Sequence, residues 1–167
     1  ERVVTVSFSG YAKSQPLDAY QAQRRGGVGR SGAPVREEDS IEHLLVANSH
    51  HTILCFSNRG RVFWLKVYEI PVASRGAKGR PLVNLLRLEG DERITSLLPV
   101  GSFDAERFVF MATSDGTVKK TPLDAFSRPR GNGLIAIDLG EDDHLVCTAI
   151  TDGSSDVLLF SSGGKAV

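Results

Sequence analysis

Three short segments of this 167-residue chain set arginine beside glycine: QRRGGVGR from Gln23, SRGAKGR from Ser74 and SRPRGNG from Ser127. Arg25, Arg75 and Arg130 recur at intervals of 50 and 55 residues. Glycines let backbone N–H groups come close to an anion, and the arginine adds a planar two-pronged donor, so each loop can form a phosphate-binding concavity. One such loop is an ordinary surface connection; three at the same phase of a repeat form a pattern. The candidate binding residues are Gln23, Arg24, Arg25, Gly26, Gly27, Gly29 and Arg30 in the first loop. Arg75, Gly76, Lys78, Gly79 and Arg80 follow in the second, with Arg128 and Arg130 in the third. Arg59, Arg61, Lys119 and Lys120 join them from the hairpins before the second and third loops.

No catalytic set accompanies these loops. The serines are scattered through turns, and neither a G-x-S-x-G elbow nor a P-loop occurs. His43, His50, His51 and His144 lack CxxC or HExxH company and read as surface or strand residues. The acidic turns REEDS, EGDER and GEDDH lack the alternating ligands of a calcium loop and read as solvated turns or charge balance, lying elsewhere than the basic segments. No metal and no cofactor is expected. Tyr11, Tyr20 and Tyr68 read as packing or blade-edge residues, and Trp64 as a core or inter-blade anchor. Cys55 and Cys147 sit in the apolar runs TILCFS and LVCTAI and read as buried free thiols of a reducing, cytoplasmic setting. The longest apolar runs, LLVA and SLLPV, are far short of the roughly 20 residues of a membrane span. The opening ERVVTVSFSG has no Met and no secretory pattern, which reads as a fragment boundary.

The elements that must hold the loops also repeat. Strand, glycine turn and strand recur as VTVSFSGYAKSQPL, ILCFSNRGRVFWLKV, VFMATSDGTVKKTPL and VLLFSSGGKAV, with turn glycines Gly10, Gly60, Gly116 and Gly164. In RVFWLKV, Val62, Trp64 and Lys66 alternate with Phe63, Leu65 and Val67, and the polar residue points to a partly exposed sheet face. After each of the first three hairpins comes about one helical turn, at Leu17, Tyr68 and Leu123, then an Arg-Gly loop. Extended segments (PLVNLLRL, GLIAIDL), acidic turns and β-like runs from Ile41, Ile94 and Leu145 complete the pattern. About four strands per 50 residues predict an all-β, propeller-like stack of four-stranded blades that must cover one another's faces. Counted loop to loop, the units are 1–30 (partial), 31–80, 81–133 and 134–167 (partial). About three blades are too few to close a ring, so a larger domain is expected.

Twenty basic and twenty acidic residues give zero net charge, which argues against a uniformly basic nucleic-acid binder. The average conceals segregation. Segments 21–36, 59–80 and 119–133 together hold fourteen basic and two acidic residues, a net +12, and the rest of the chain carries −12. Phased basic segments should line one edge of the stack and suit a long polyanion, whose counterions each lysine or arginine displaces. The same period also fits a propeller-like scaffold gripping an acidic protein.

The segment GYAKSQPLDAYQAQRRGGVGR, with Gln23–Gly29 at its core, resembles the gyrase box that opens the C-terminal domain of the DNA gyrase A protein. The likeness continues through LLVANSHHTILCFSNRGRVFWLKVYEIP, RGAKGRPLVNLL, DERITSLLPV and FMATSDGTVKKTPL. It implies a β-pinwheel whose blades exchange strands, of which this chain holds roughly the first half. It also implies wrapping of duplex DNA on a basic rim, in support of ATP-dependent negative supercoiling. On this resemblance the partners are duplex DNA, the remaining blades, the N-terminal region of the gyrase A protein and the gyrase B protein. The catalytic tyrosine, and the ATP and Mg2+ that the holoenzyme uses, belong outside this chain. The topoisomerase IV counterpart fits less well, because its box is degraded and this one is nearly complete. The one departure is Val28, where the family carries Lys or Arg. Arg30 either takes over that contact or leaves a weaker box.

Overall fold

The computed structural model describes residues 1–25 and 40–154. Its elements are β1 (Arg2–Ser7), β2 (Tyr11–Pro16), α1 (Leu17–Arg25), β3 (Ile41–Ala47), β4 (Thr52–Ser57), β5 (Arg61–Lys66) and β6 (Arg80–Pro81). There follow β7 (Ile94–Val100), β8 (Phe108–Thr113), β9 (Val118–Pro122), β10 (Leu134–Ile135) and β11 (Leu145–Thr151). They form three antiparallel sheets among the described residues, ordered β3-β1-β2-β6, β10-β5-β4-β7 and β11-β8-β9. The two complete sheets each draw on consecutive repeats. A hairpin pairs with the strand that follows it, and its other edge is closed by two residues from beyond the next hairpin.

The middle sheet shows why the blades must stack. Every residue of β4, TILCFS, is buried, and alternation sends its side chains to opposite faces. Ile53 and Cys55 join Val4, Val6, Phe63, Leu65, Leu82 and Leu86 in a core shared with the first sheet. Leu54 and Phe56 join Val62, Val109, Met111, Leu123 and Phe126 in a core shared with the third. The alternation read in RVFWLKV holds, with Val62 and Trp64 on the second core and Phe63, Leu65 and Val67 on the first. The face that carries Lys66 is partly exposed as expected, with Trp64 and Lys66 half-buried, although a neighbouring blade packs on each side of the middle sheet. Trp64 is the inter-blade anchor: its indole N–H donates to the Phe126 carbonyl at 2.8 Å.

Strands β3, β7 and β11 lie side by side and form the inner edge of the stack. The hydroxyls of Ser96 and Thr148 hydrogen bond across β7 and β11, and Thr95 Oγ1 donates to the Leu145 carbonyl at 3.2 Å. The two-residue strands β6 and β10 therefore lie on the outer edge, opposite β3 and β7 in their sheets.

Three details differ from the sequence reading. The first linking turn is a nine-residue helix, whereas its counterparts are short 3-10 turns at Val67–Glu69 and Leu123–Phe126. LDAYQAQRR contains no proline, while Pro71 and Pro129 interrupt the other two. PLVNLLRL is not extended beyond Pro81: Leu82–Asn84 is a 3-10 turn, and the Leu86 N–H donates to the Leu82 carbonyl at 2.8 Å, which buries both leucines on one side. Cys147 is exposed while Cys55 is buried. A register shift between Leu145 and Cys147 sends Leu145 into the core and turns Cys147 outward, the parity change that a bulge imposes. No helix among the described residues is long and apolar enough to cross a membrane.

Candidate nucleic-acid interface

The second Arg-Gly loop is built from the blade on which it lies. The chain leaving β5 runs beside β2, where the Ser14 N–H donates to the Pro71 carbonyl (2.9 Å) and the Ala73 N–H to the Ser14 carbonyl (3.1 Å). Gln15 Nε2 donates to the Ala73 carbonyl at 3.1 Å. Lys13 then collects the carbonyls of Ser74, Arg75 and Ala77 at 3.3, 2.9 and 3.0 Å. The loop ends as Arg80 and Pro81 pair with Ala12 and Tyr11. Arg75, Gly76, Lys78 and Arg80 are all exposed, and the Lys78 ammonium lies 5.6 Å from the Tyr11 ring centroid.

The third loop repeats the plan on the next blade, where β10 pairs with Val62 and Arg61. Arg128 and Arg130 are exposed. With Arg75 and Arg80 they make no ion pair among the described residues. Asn132 is held from two sides, its carbonyl by Arg61 Nη2 and its side-chain oxygen by Arg87 Nη1 at 2.9 Å.

The two glycines of each loop do different work. Gly79 has φ +87°, and a side-chain carbon there would overlap the Ala12 carbonyl. Gly133 has φ +79°, and the same carbon would stand 2.8 Å from the Phe63 ring. Gly76 and Gly131 face open space. The last glycine thus bends the chain into the outer strand against the neighbouring blade, and only the first is placed to let an anion approach.

Arg59 and Arg61 differ from the loop arginines in having carboxylate partners. The acidic turn EGDER is not set apart but folds onto their hairpin, so that Arg59 pairs with Asp91 and Arg61 with Glu89 (3.4 Å) and Glu92 (3.2 Å). The Glu92 side chain is 0% exposed, and it also accepts the Ser57 hydroxyl at 2.6 Å. Arg61 is only 17% exposed and stacks on Phe63 with its guanidinium carbon 4.8 Å from the ring centroid. It is a pin inside the blade rather than a surface donor, because the carboxylates that claim it arrive some thirty residues later. The third acidic turn caps its own hairpin, as Asp143 accepts the Ser114 hydroxyl at 2.8 Å and the Asp115 N–H at 3.0 Å. Hydrogen bonds from Thr113 and Thr117 hold the Asp115 carboxyl down at about 2.

Lys119 and Lys120 are exposed on β9, where Lys119 donates to the Ala136 carbonyl at 3.2 Å and Lys120 lies 4.6 Å from the Phe108 ring centroid. Gln23, Arg24 and Arg25 are the last residues of α1. Their side chains, and Gly26, Gly27, Gly29 and Arg30, lie outside the described residues. Sequence reasoning missed Lys13 and Arg87, neither of which belongs to an Arg-Gly motif. Among the described residues no group of histidines, cysteines and carboxylates is arranged to hold a metal ion.

The comparisons with known proteins match this architecture. A family model described as DNA gyrase C-terminal domain, beta-propeller, matches residues 1–48, 51–101 and 107–150, each stretch one hairpin with its inner strand. The DNA gyrase A protein of Haemophilus influenzae is 59% identical over 165 residues, covering 99% of this chain, and the match spans only 19% of that protein. A crystal structure of the C-terminal domain of DNA topoisomerase IV superposes over 99% of this chain and 50% of its own, with TM-score 0.78 and 28% identity. A structure of a DNA gyrase A C-terminal domain shares the fold at TM-score 0.72 and 22% identity, over 99% of this chain and 53% of its own.

Two substitutions separate the glycine roles. Gly79→Ala should destabilise by about 1–3 kcal/mol from its left-handed backbone alone, and Gly76→Ala should stay within about 0.5 kcal/mol, both read by thermal unfolding. Arg61→Ala should cost on the order of 3 kcal/mol by stranding buried Glu92. In DNA titrations it should leave the salt dependence of the parent protein unchanged, unlike a surface arginine.

Proposed function

The chain belongs to the DNA gyrase C-terminal domain family, and from that premise we propose that it binds duplex DNA along its outer edge and bends it without reading base sequence. The observation that carries this reading is the pair of loops at 75–80 and 128–130. Their arginines are exposed and without acidic partners among the described residues, and they occupy equivalent places on successive blades. Bending a 20–30 bp site by 40–90° costs on the order of 1–6 kcal/mol. Contacts spread along successive blades offset that cost through phosphate neutralisation, and phosphates carry no sequence information directly.

In the whole protein, of which this chain spans about a fifth of the length of its gyrase A relatives, the domain would act with the remaining blades, the N-terminal region of the gyrase A protein and the gyrase B protein. It would present a wrapped segment for ATP-dependent negative supercoiling in the bacterial cytoplasm. Nucleotide, Mg2+ and the cleavage tyrosine are assigned to those other parts. The box residues Gln23, Arg24, Arg25, Gly26, Gly27, Gly29 and Arg30 supply the first loop of the series on this reading. The exposed lysines Lys119 and Lys120 extend the third.

Affinity for a short duplex should fall with salt at a log–log slope of about −0.9 per phosphate contacted. Arg75→Ala and Arg130→Ala should each reduce that slope by about 1 while weakening all sequences alike. A flat salt response, or a change in base preference, would count against phosphate binding. Placed in the full enzyme, Arg24→Ala with Arg25→Ala should abolish ATP-driven negative supercoiling, measured on relaxed plasmid; retained supercoiling would remove the box from the mechanism.

A further inference from the structure

We infer that Lys13 is a positioning residue for the second Arg-Gly loop, an inference that rests on the phosphate-binding reading above: its ammonium turns the loop carbonyls inward and leaves the amide donors facing out. An ammonium offers three donors and no acceptor. Those of Lys13 meet the carbonyl oxygens of Ser74, Arg75 and Ala77, three peptide units of one loop that the next repeat sends across onto the blade of Lys13. In a planar trans peptide unit the C=O and the following N–H point in opposite directions. Fixing these carbonyls on the Lys13 side therefore turns the N–H groups of Arg75, Gly76 and Lys78 the other way. None of the three donates to a backbone carbonyl among the described residues, whereas the intervening Ala77 N–H closes a turn onto the Ser74 carbonyl at 3.1 Å.

The result is a concavity of amide donors flanked by the side chains of Arg75 and Lys78, the arrangement that attracts an anion. Lys13 also offsets the partial negative charge of carbonyls that would otherwise repel a phosphate. Its action is indirect, through the loop.

The neighbouring blade supplies an internal control. Lys13 pairs with Thr5 as Phe63 pairs with Cys55, so Phe63 stands in the place of Lys13 one blade on. There the third loop is seated by the Phe63 ring against Gly133 and by Arg61 and Arg87 on Asn132. Loss of Lys13 should free the second loop and leave the third in place.

The test uses Lys13→Gln in the full-length protein, with Lys13→Arg as a second variant that keeps the charge but offers its donors in one planar fork. Limited trypsin digestion without DNA, mapped by mass spectrometry, should show cleavage after Arg75 accelerated several-fold in both variants and cleavage after Arg130 unchanged. Duplex affinity should weaken by about three- to tenfold as the loop must be ordered on binding, at the same salt slope as the parent. The role would be overturned by unchanged cleavage after Arg75, by a slope shallower by about 1 that makes Lys13 itself a phosphate contact, or by full affinity in Lys13→Arg that reduces it to a charge. Normal affinity in Lys13→Gln would overturn this role alone, whereas a parent protein that binds no duplex would overturn the phosphate-binding reading and the role together.

Discussion

An unpaired strand edge is a row of donors and acceptors that has to be satisfied, and in the two complete sheets of this chain two residues close the outer edge. Arg80 and Pro81 do so for β2, and Leu134 and Ile135 for β5. Because those residues lie beyond the next hairpin, the chain must leave its own blade, cross to the previous one and bend sharply before pairing. The Arg-Gly loop is that crossing, and Gly79 or Gly133 is the bend. One short pairing thereby places the loop on the outer edge, demands a glycine at its end and locks each blade to its neighbour. The third sheet has no such closure among the described residues, and its β9 edge carries Lys119 and Lys120, charges of the kind that discourage further strand pairing.

The same geometry explains how a chain of zero net charge presents a basic edge. The acidic turns are not passive ballast. Each immediately precedes an inner strand, and in all three blades the hairpin turn donates a backbone N–H to the carbonyl just before that strand: Phe8 to Ser40, Asn58 to Arg93 and Ser114 to His144. In the second and third blades the carboxylates settle beside the hairpin turns, where Glu92 and Asp91 consume Arg61 and Arg59 and Asp143 holds the turn at Ser114. The basic residues left without carboxylate partners include those carried past the hairpin into the crossing loops, and Lys119 and Lys120 on β9. Neutrality and a charged edge coexist because the fold separates two populations of arginine that alternate along the chain.

What the sequence makes legible follows from how local each signal is. The hairpins, the inner strands at Ile41, Ile94 and Leu145 and the alternation of RVFWLKV are written in side-chain periodicity and turn glycines, which act over a few residues. Strands β6 and β10 are not legible, since two residues have no periodicity and their pairing is decided by the blade they meet. The same holds for the 3-10 turn at Leu82–Asn84, which exists because Leu82 and Leu86 must reach one core. Arg61 looked like a member of a basic run because the buried Glu92 that claims it lies 31 positions away. Lys13 was invisible for the opposite reason, as a lone lysine in a strand whose targets lie more than sixty residues later.

These distant partners bear on what kind of edge the domain offers. The second and third loops are seated by unlike means, an ammonium on three carbonyls in one case and a phenyl ring with two guanidinium groups in the other. Both nevertheless begin beside the same strand position and end in the same pairing. Their spacing is inherited from how the blades pack, through cores that include Ile53 and Phe63 on one side of the middle sheet and Leu54 and Phe56 on the other. Close-packed interiors have few voids and low compressibility, so the loops stand at intervals that the loops themselves cannot change. A stiff polyanion laid across them has to conform to the protein, because the energy to move successive anchors apart would have to come from the cores.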